Sequence, residues 1–132
     1  MRRQFLLPQR DREYLDSRGL PWETIIDAGG QWLLVHDFPV TAAGYNAETV
    51  TAALMIAPGY PDAQIDMVYF YPPLARADGR AINTLANQPL DGKIYQRWSR
   101  HRTGQNPWRP GEDDVSTHLL LVEGWLEKEL TR

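Results

Sequence analysis

Three apolar runs in the first half of the chain are each cut short by proline, and this punctuation restricts the fold more than any other feature. Gln31–Phe38 (Q-W-L-L-V-H-D-F) is closed by Pro39, Thr49–Ala57 (T-V-T-A-A-L-M-I-A) by Pro58-Gly59-Tyr60-Pro61, and Gln64–Tyr71 (Q-I-D-M-V-Y-F-Y) by Pro72-Pro73. Proline cannot donate to a ladder, so each run is short. Runs rich in branched and aromatic residues between such stops read as strands of an antiparallel meander. In the first run Trp32, Leu34 and His36 share one face, and Leu33, Val35 and Asp37 the other. On so mixed a face His36 reads as a hydrogen-bonded structural residue. Trp22–Asp27 adds a short strand stopped by Gly29-Gly30, and 41–48 reads as a turn.

Helices bracket these runs. Asp11–Arg18 is a short polar helix ended by Gly19 and Pro21. At the other end Glu112-Asp113-Asp114 supplies an N-cap and negative charge. Val115, Leu119, Val122 and Leu126 then recur at helical spacing, with Leu130 one turn beyond. Leu120, Leu121 and Trp125 widen that stripe, which predicts a helix over 113–130 covering a sheet. Residues 74–91 show no periodicity and read as a long ordered loop. The order predicts an α+β class, with about four strands, in one domain spanning 1–132. No apolar run is long enough to span a membrane, and no signal-peptide core follows Met1-Arg-Arg, so a cytoplasmic location is expected.

Between loop and helix lies an arm, Gly92–Pro110, reading G-K-I-Y-Q-R-W-S-R-H-R-T-G-Q-N-P-W-R-P. It holds five basic side chains (Lys93, Arg97, Arg100, Arg102, Arg109), two of the five tryptophans and no acid. It follows neither a helical nor a strand period, so a surface arm anchored by buried Trp98 and Trp108 is expected, in the kind of segment that carries chemistry. The chain has no cysteine, which removes thiolate nucleophiles, disulfides and zinc–thiolate sites together. Its three histidines (His36, His101, His118) are scattered without metal-ligand spacing, so neither metal nor cofactor is expected.

This order of features resembles the ubiquitin-conjugating-enzyme fold. Tyr60-Pro61 matches the family's Tyr-Pro turn, and Trp108-Arg109-Pro110 matches its W-x-P motif before a helix. The Gln96–His101 run is similar to the divergent prokaryotic branch known as family E, and the resemblance covers about residues 20–130. It implies a meander sheet with a C-terminal helix packed near it and a long irregular active-site arm. It also implies acyl transfer: the carboxy-terminal glycine of a ubiquitin-like protein passes from an adenylating activating enzyme to the conjugating enzyme, then to an amine. Members of that branch tend to be encoded in bacterial operons, of the antiviral-defence kind, beside those partners and a deconjugating metalloprotease.

Two departures matter. No His-Pro-Asn triplet precedes the arm, and the family's cysteine is missing. That cysteine lies eight or nine residues before the W-x-P tryptophan, which puts Ser99, nine before Trp108, at the nucleophile position. A rival alignment of Gly92-Lys93-Ile94-Tyr95 puts Tyr95 there instead. Serine 99 is either native, carrying an oxyester, or a replacement of a native cysteine, which would carry a thioester. A serine hydroxyl needs a base, and His101 is the neighbouring histidine, on the same face if 99–101 is extended. Arg97, Arg100 and Asn106 are candidates to stabilise the oxyanion, with Asn83 and Asn87 as further candidates for the family's asparagine role. Trp98, Trp108, Pro110, Tyr60 and Pro61 are the expected structural anchors. The alignment requires the arm to stay outside the sheet's interior.

Two other classes of function stay open. A catalytically inactive relative would bind a ubiquitin-like protein or activating enzyme without chemistry, as the missing cysteine suggests. A single-strand nucleic-acid module would use Arg97, Trp98, Arg100, Arg102 and Trp108. The net charge of −3, and six acids against two bases in 111–132, argue against nucleic acid.

Overall fold

A computed structural model describes residues 1–132. Helix α1 (Gln9–Ser17) is followed by strands β1 (Trp22–Asp27), β2 (Gly30–Pro39), β3 (Thr49–Ile56), β4 (Val68–Tyr71), β5 (Leu85–Leu90) and β6 (Lys93–Trp98), then helix α2 (Val115–Glu129). The six strands form one antiparallel sheet in the order β1-β2-β3-β4-β6-β5. The class is α+β, with six strands where about four were expected. No helix is long and apolar enough to cross a membrane.

The two extra strands correct the reading of 74–91 as a loop and of 92–110 as irregular throughout. Their hairpin turns on Asp91-Gly92, where both residues have positive φ (53° and 74°). That is the type I′ geometry an Asp-Gly pair favours, because its twist matches the strands it joins. Strand β5, L-A-N-Q-P-L, has little intrinsic strand preference and contains Pro89. It survives because it is an edge strand, paired only with β6. Strand β6 lies inside the sheet, between β4 and β5, so the arm is irregular only from Ser99 onward. The fourth strand is shorter than the expected 64–71 and starts at Val68, after Met67 at positive φ.

Strand β2 bulges between Val35 and Phe38, at Asp37 with φ 55°. His36 here is hydrogen-bonded on both nitrogens, to Thr51 Oγ1 (2.9 Å) and Glu23 Oε2 (2.8 Å). Both helices cover one face of the sheet. Leu15 of α1 and Val115, Leu119, Val122 and Leu126 of α2 pack on Leu33, Val35, Leu54, Val68, Phe70 and Trp98. Leu120 does not widen that stripe as expected: it is 69% exposed on the outer side of α2. Asp114 caps α2 by accepting the Thr117 amide, and the Thr117 hydroxyl accepts the Asp114 amide in return.

The opposite face has no helix yet holds its own core of Ile25, Trp32, Leu34, Ala53, Tyr69, Leu90 and Tyr95. The sheet coils, as twisted strands do, until its two ends approach. The Asp91 amide donates to Asp27 Oδ2 (2.9 Å), and Arg2 bridges Glu23 (2.9 Å) and Asp91 (2.7 Å). The sheet stays open, since no ladder joins β1 to β5.

Candidate active site

The segment after β6 is held by the stretch just before β4. Ser99 N–H donates to Thr84 O (3.2 Å), extending the β5–β6 pairing by one residue, and Met67 N–H donates to Arg100 O (3.1 Å). Asp66 then takes two bonds, Oδ1 from the Arg102 amide (3.0 Å) and Oδ2 from His101 Nδ1 (2.8 Å). A carboxylate only accepts, so Nδ1 carries a proton; in the neutral tautomer this leaves the lone pair on Nε2. His101 itself is exposed, and Ser99 is half-buried.

Arg102 turns the other way, its side chain 5% exposed. Its Nη2 donates to His118 Nδ1 (2.9 Å), and His118 Nε2 donates to Met67 O (2.8 Å). The chain of donors requires a neutral His118, and burial, the largest cause, pushes its pKa down to about 4. The Arg102 guanidinium also lies 5.0 Å from the Trp108 ring centroid.

Ser99, Arg100 and His101 line a pocket of about 440 Å³. Asn83, just before β5, closes one side, and Trp125, Lys128 and Arg132, from α2 and the residues after it, close the other. Beneath them Glu129, 3% exposed, sits among Arg100 (3.0 Å), Arg132 (3.0 Å) and Arg76 (3.6 Å). A buried carboxylate is tolerated only with such partners. Arg100 is therefore oriented from below, and its Nη1 also donates to Asn83 O (3.0 Å).

The other candidate residues lie elsewhere. Tyr95 is 2% exposed on the far face of the sheet, in the second core. Burial, ahead of nearby Asp91 and Glu23, pushes its phenol up to about 12. Arg97 shares the face of Tyr95 by strand alternation, with a buried Nε that has no partner. Asn106 is exposed on the 103–106 turn, and Asn87 is exposed on the edge strand. Of the anchors, Trp98 is fully buried against Phe70, ring centroids 5.4 Å apart. Trp108 is only half-buried, its Nε1 donating to Pro61 O (3.0 Å) and its ring 6.1 Å from Tyr60, while Pro61 and Pro110 are exposed. No three His, Asp or Glu side chains converge as a metal site would require.

Ser99 and His101 line one pocket, and Asp66 holds the His101 ring from outside it; an alcohol, an imidazole and a carboxylate are the parts of nucleophilic acyl transfer. The model of the family described as prokaryotic E2 family E matches residues 7–129. The chain belongs to this family. No curated protein and no solved structure matches it. As a prokaryotic E2 family E protein it has an E2-like role in conjugation of ubiquitin-like proteins, with a ubiquitin-like protein and an activating enzyme as its general partners. Because β6 is an interior strand, the alignment of the whole arm no longer carries Ser99, and the pocket geometry must. Asp66 was missed in this E2 family protein's sequence because it lies 35 positions from His101, with no local pattern joining them.

Proposed function

We propose that this protein carries a ubiquitin-like protein as an acyl ester on Ser99, received from its activating enzyme. The observation behind it is that Ser99 and His101 line one pocket while Asp66 holds the His101 ring by Nδ1. In this reading His101 Nε2 takes the Ser99 proton as Oγ attacks the terminal glycine carbonyl. The bond from that carbonyl to the activating enzyme then breaks, and the leaving group accepts the proton. Asp66 fixes the tautomer and offsets the developing imidazolium charge. Arg100, which faces the pocket, is better placed for the oxyanion than Arg97 or Asn106. If serine replaces a native cysteine, the same pocket carries a thioester.

The test is incubation with ATP, activating enzyme and ubiquitin-like protein. An adduct that resists thiol reductants, yields to hydroxylamine and disappears in Ser99→Ala supports the reading. An adduct that persists in Ser99→Ala moves the site to Tyr95 or a lysine. No adduct at all selects the binding-only alternative.

A further inference from the structure

We infer that Lys128 is an acceptor in cis: the acyl group on Ser99 passes to its amine and leaves a stable amide on the protein's own α2. This rests on the Ser99 carrier reading above. The chain has only two lysines, Lys93 and Lys128. Lys128 lines the same pocket as Ser99 and His101. Its ammonium makes no ion pair and no hydrogen bond, unlike Arg100 and Arg132 beside it, which are held by Glu129. It is thus the one amine in the pocket, free to move on a flexible four-carbon stem. Lys93 lies six residues before Ser99 along β6, about 20 Å away at strand rise, and lines a different pocket with Tyr95.

The chemistry balances without a further reactant. Neutral Lys128 Nζ attacks the ester carbonyl, a C–N bond forms and the C–O bond to Ser99 breaks. The proton leaving nitrogen returns to Ser99 Oγ through His101. Holding amine and ester in one pocket replaces a bimolecular encounter with an intramolecular one. Lys128 also stands in the last turn of α2, where a cation complements the helix dipole. Arginine would serve that role equally but offers no acylable amine, so Lys128→Arg separates the two.

The probe is the mercaptoethanesulfonate thioester of acetyl-glycyl-glycine, given to the intact protein at mildly alkaline pH and followed by mass. In wild type a hydroxylamine-labile ester on Ser99 should appear first and convert to a hydroxylamine-resistant amide that maps to Lys128. Lys128→Arg should keep the ester and lengthen its half-life at least roughly tenfold. Ser99→Ala should lose both products. An ester of equal lifetime in wild type and Lys128→Arg overturns the inference and leaves the carrier reading standing. So does an amide that forms as fast in Ser99→Ala, or that falls equally on Lys93. Absence of any Ser99 ester overturns both.

Discussion

Asp66 Oδ2 accepts the Nδ1 proton of His101 at 2.8 Å, while its other oxygen accepts the next residue's amide. The carboxylate is therefore fixed by backbone before it meets the ring. The histidine cannot rotate to the other tautomer without losing the bond.

For this reason Asp66→Asn should be more harmful than its isosteric shape suggests. An amide can present its NH₂ to the ring and stabilise the tautomer with Nε2 protonated, which is useless as a base. Acylation of Ser99 should fall by about tenfold to a thousandfold while the melting temperature moves little. His101→Ala should fall at least as far. Equal rates in wild type and Asp66→Asn would show that the pair is only structural.

Stability should depend on pH through His118. Its folded pKa, about 4, lies below the ordinary 6.5, so the unfolded chain takes up the proton first as pH falls. The stability from keeping this ring neutral is complete above 6.5 and is lost between 6.5 and 4, on the order of 3 kcal/mol in all. Urea midpoints measured across this range should fall toward acid. His118→Gln should be weaker at neutral pH, with a flatter profile.

Asp11 gives the opposite sign. It stands on α1, buried against the start of α2, accepting the Tyr60 hydroxyl (2.6 Å) and the Val115 amide (3.2 Å). Desolvation, its largest influence, raises its pKa above the ordinary carboxylate value. Its contribution is greatest at low pH and declines as pH rises through the raised value. Tyr60→Phe removes one donor to the charged form and should cost about 1–3 kcal/mol at neutral pH. The cost should shrink in acid, as paired urea titrations would show.

The two tryptophans of the 92–110 segment should separate clearly. Trp98→Ala empties a fully buried site beneath α2 and should cost about 3–5 kcal/mol. Trp108 is half-buried, so Trp108→Ala should cost less, about 1–3 kcal/mol. It should also loosen Arg102, and so the loop that carries His101. Equal losses in denaturant unfolding would contradict this assignment of burial.

Much of the scaffold was legible from local pattern. Strands β1 to β3 and both helices follow from runs whose apolar periodicity, caps and proline stops act within a few residues, and those energies are written into neighbouring side chains. Ser99 and His101 are near neighbours in sequence, so their place on one pocket needed little knowledge of the fold. The β5–β6 hairpin had one local signal, Asp91-Gly92, outweighed by the polar sequence of β5. That strand exists because β6 offers it a ladder, a gain that depends on residues far away. The same reason hides Asp66, Glu129 and Lys128 from any local reading. Asp66 reaches His101 because β4 lies beside β6, and Glu129 and Lys128 reach the Ser99 pocket because α2 packs across the sheet, leaving its last turn beside Ser99. The sequence alone determined the elements whose pattern is local, β1 to β3 and the two helices, and set Ser99 and His101 two residues apart. The tertiary structure decided what faces them, because pairing and packing free energies act between residues that are distant in the chain.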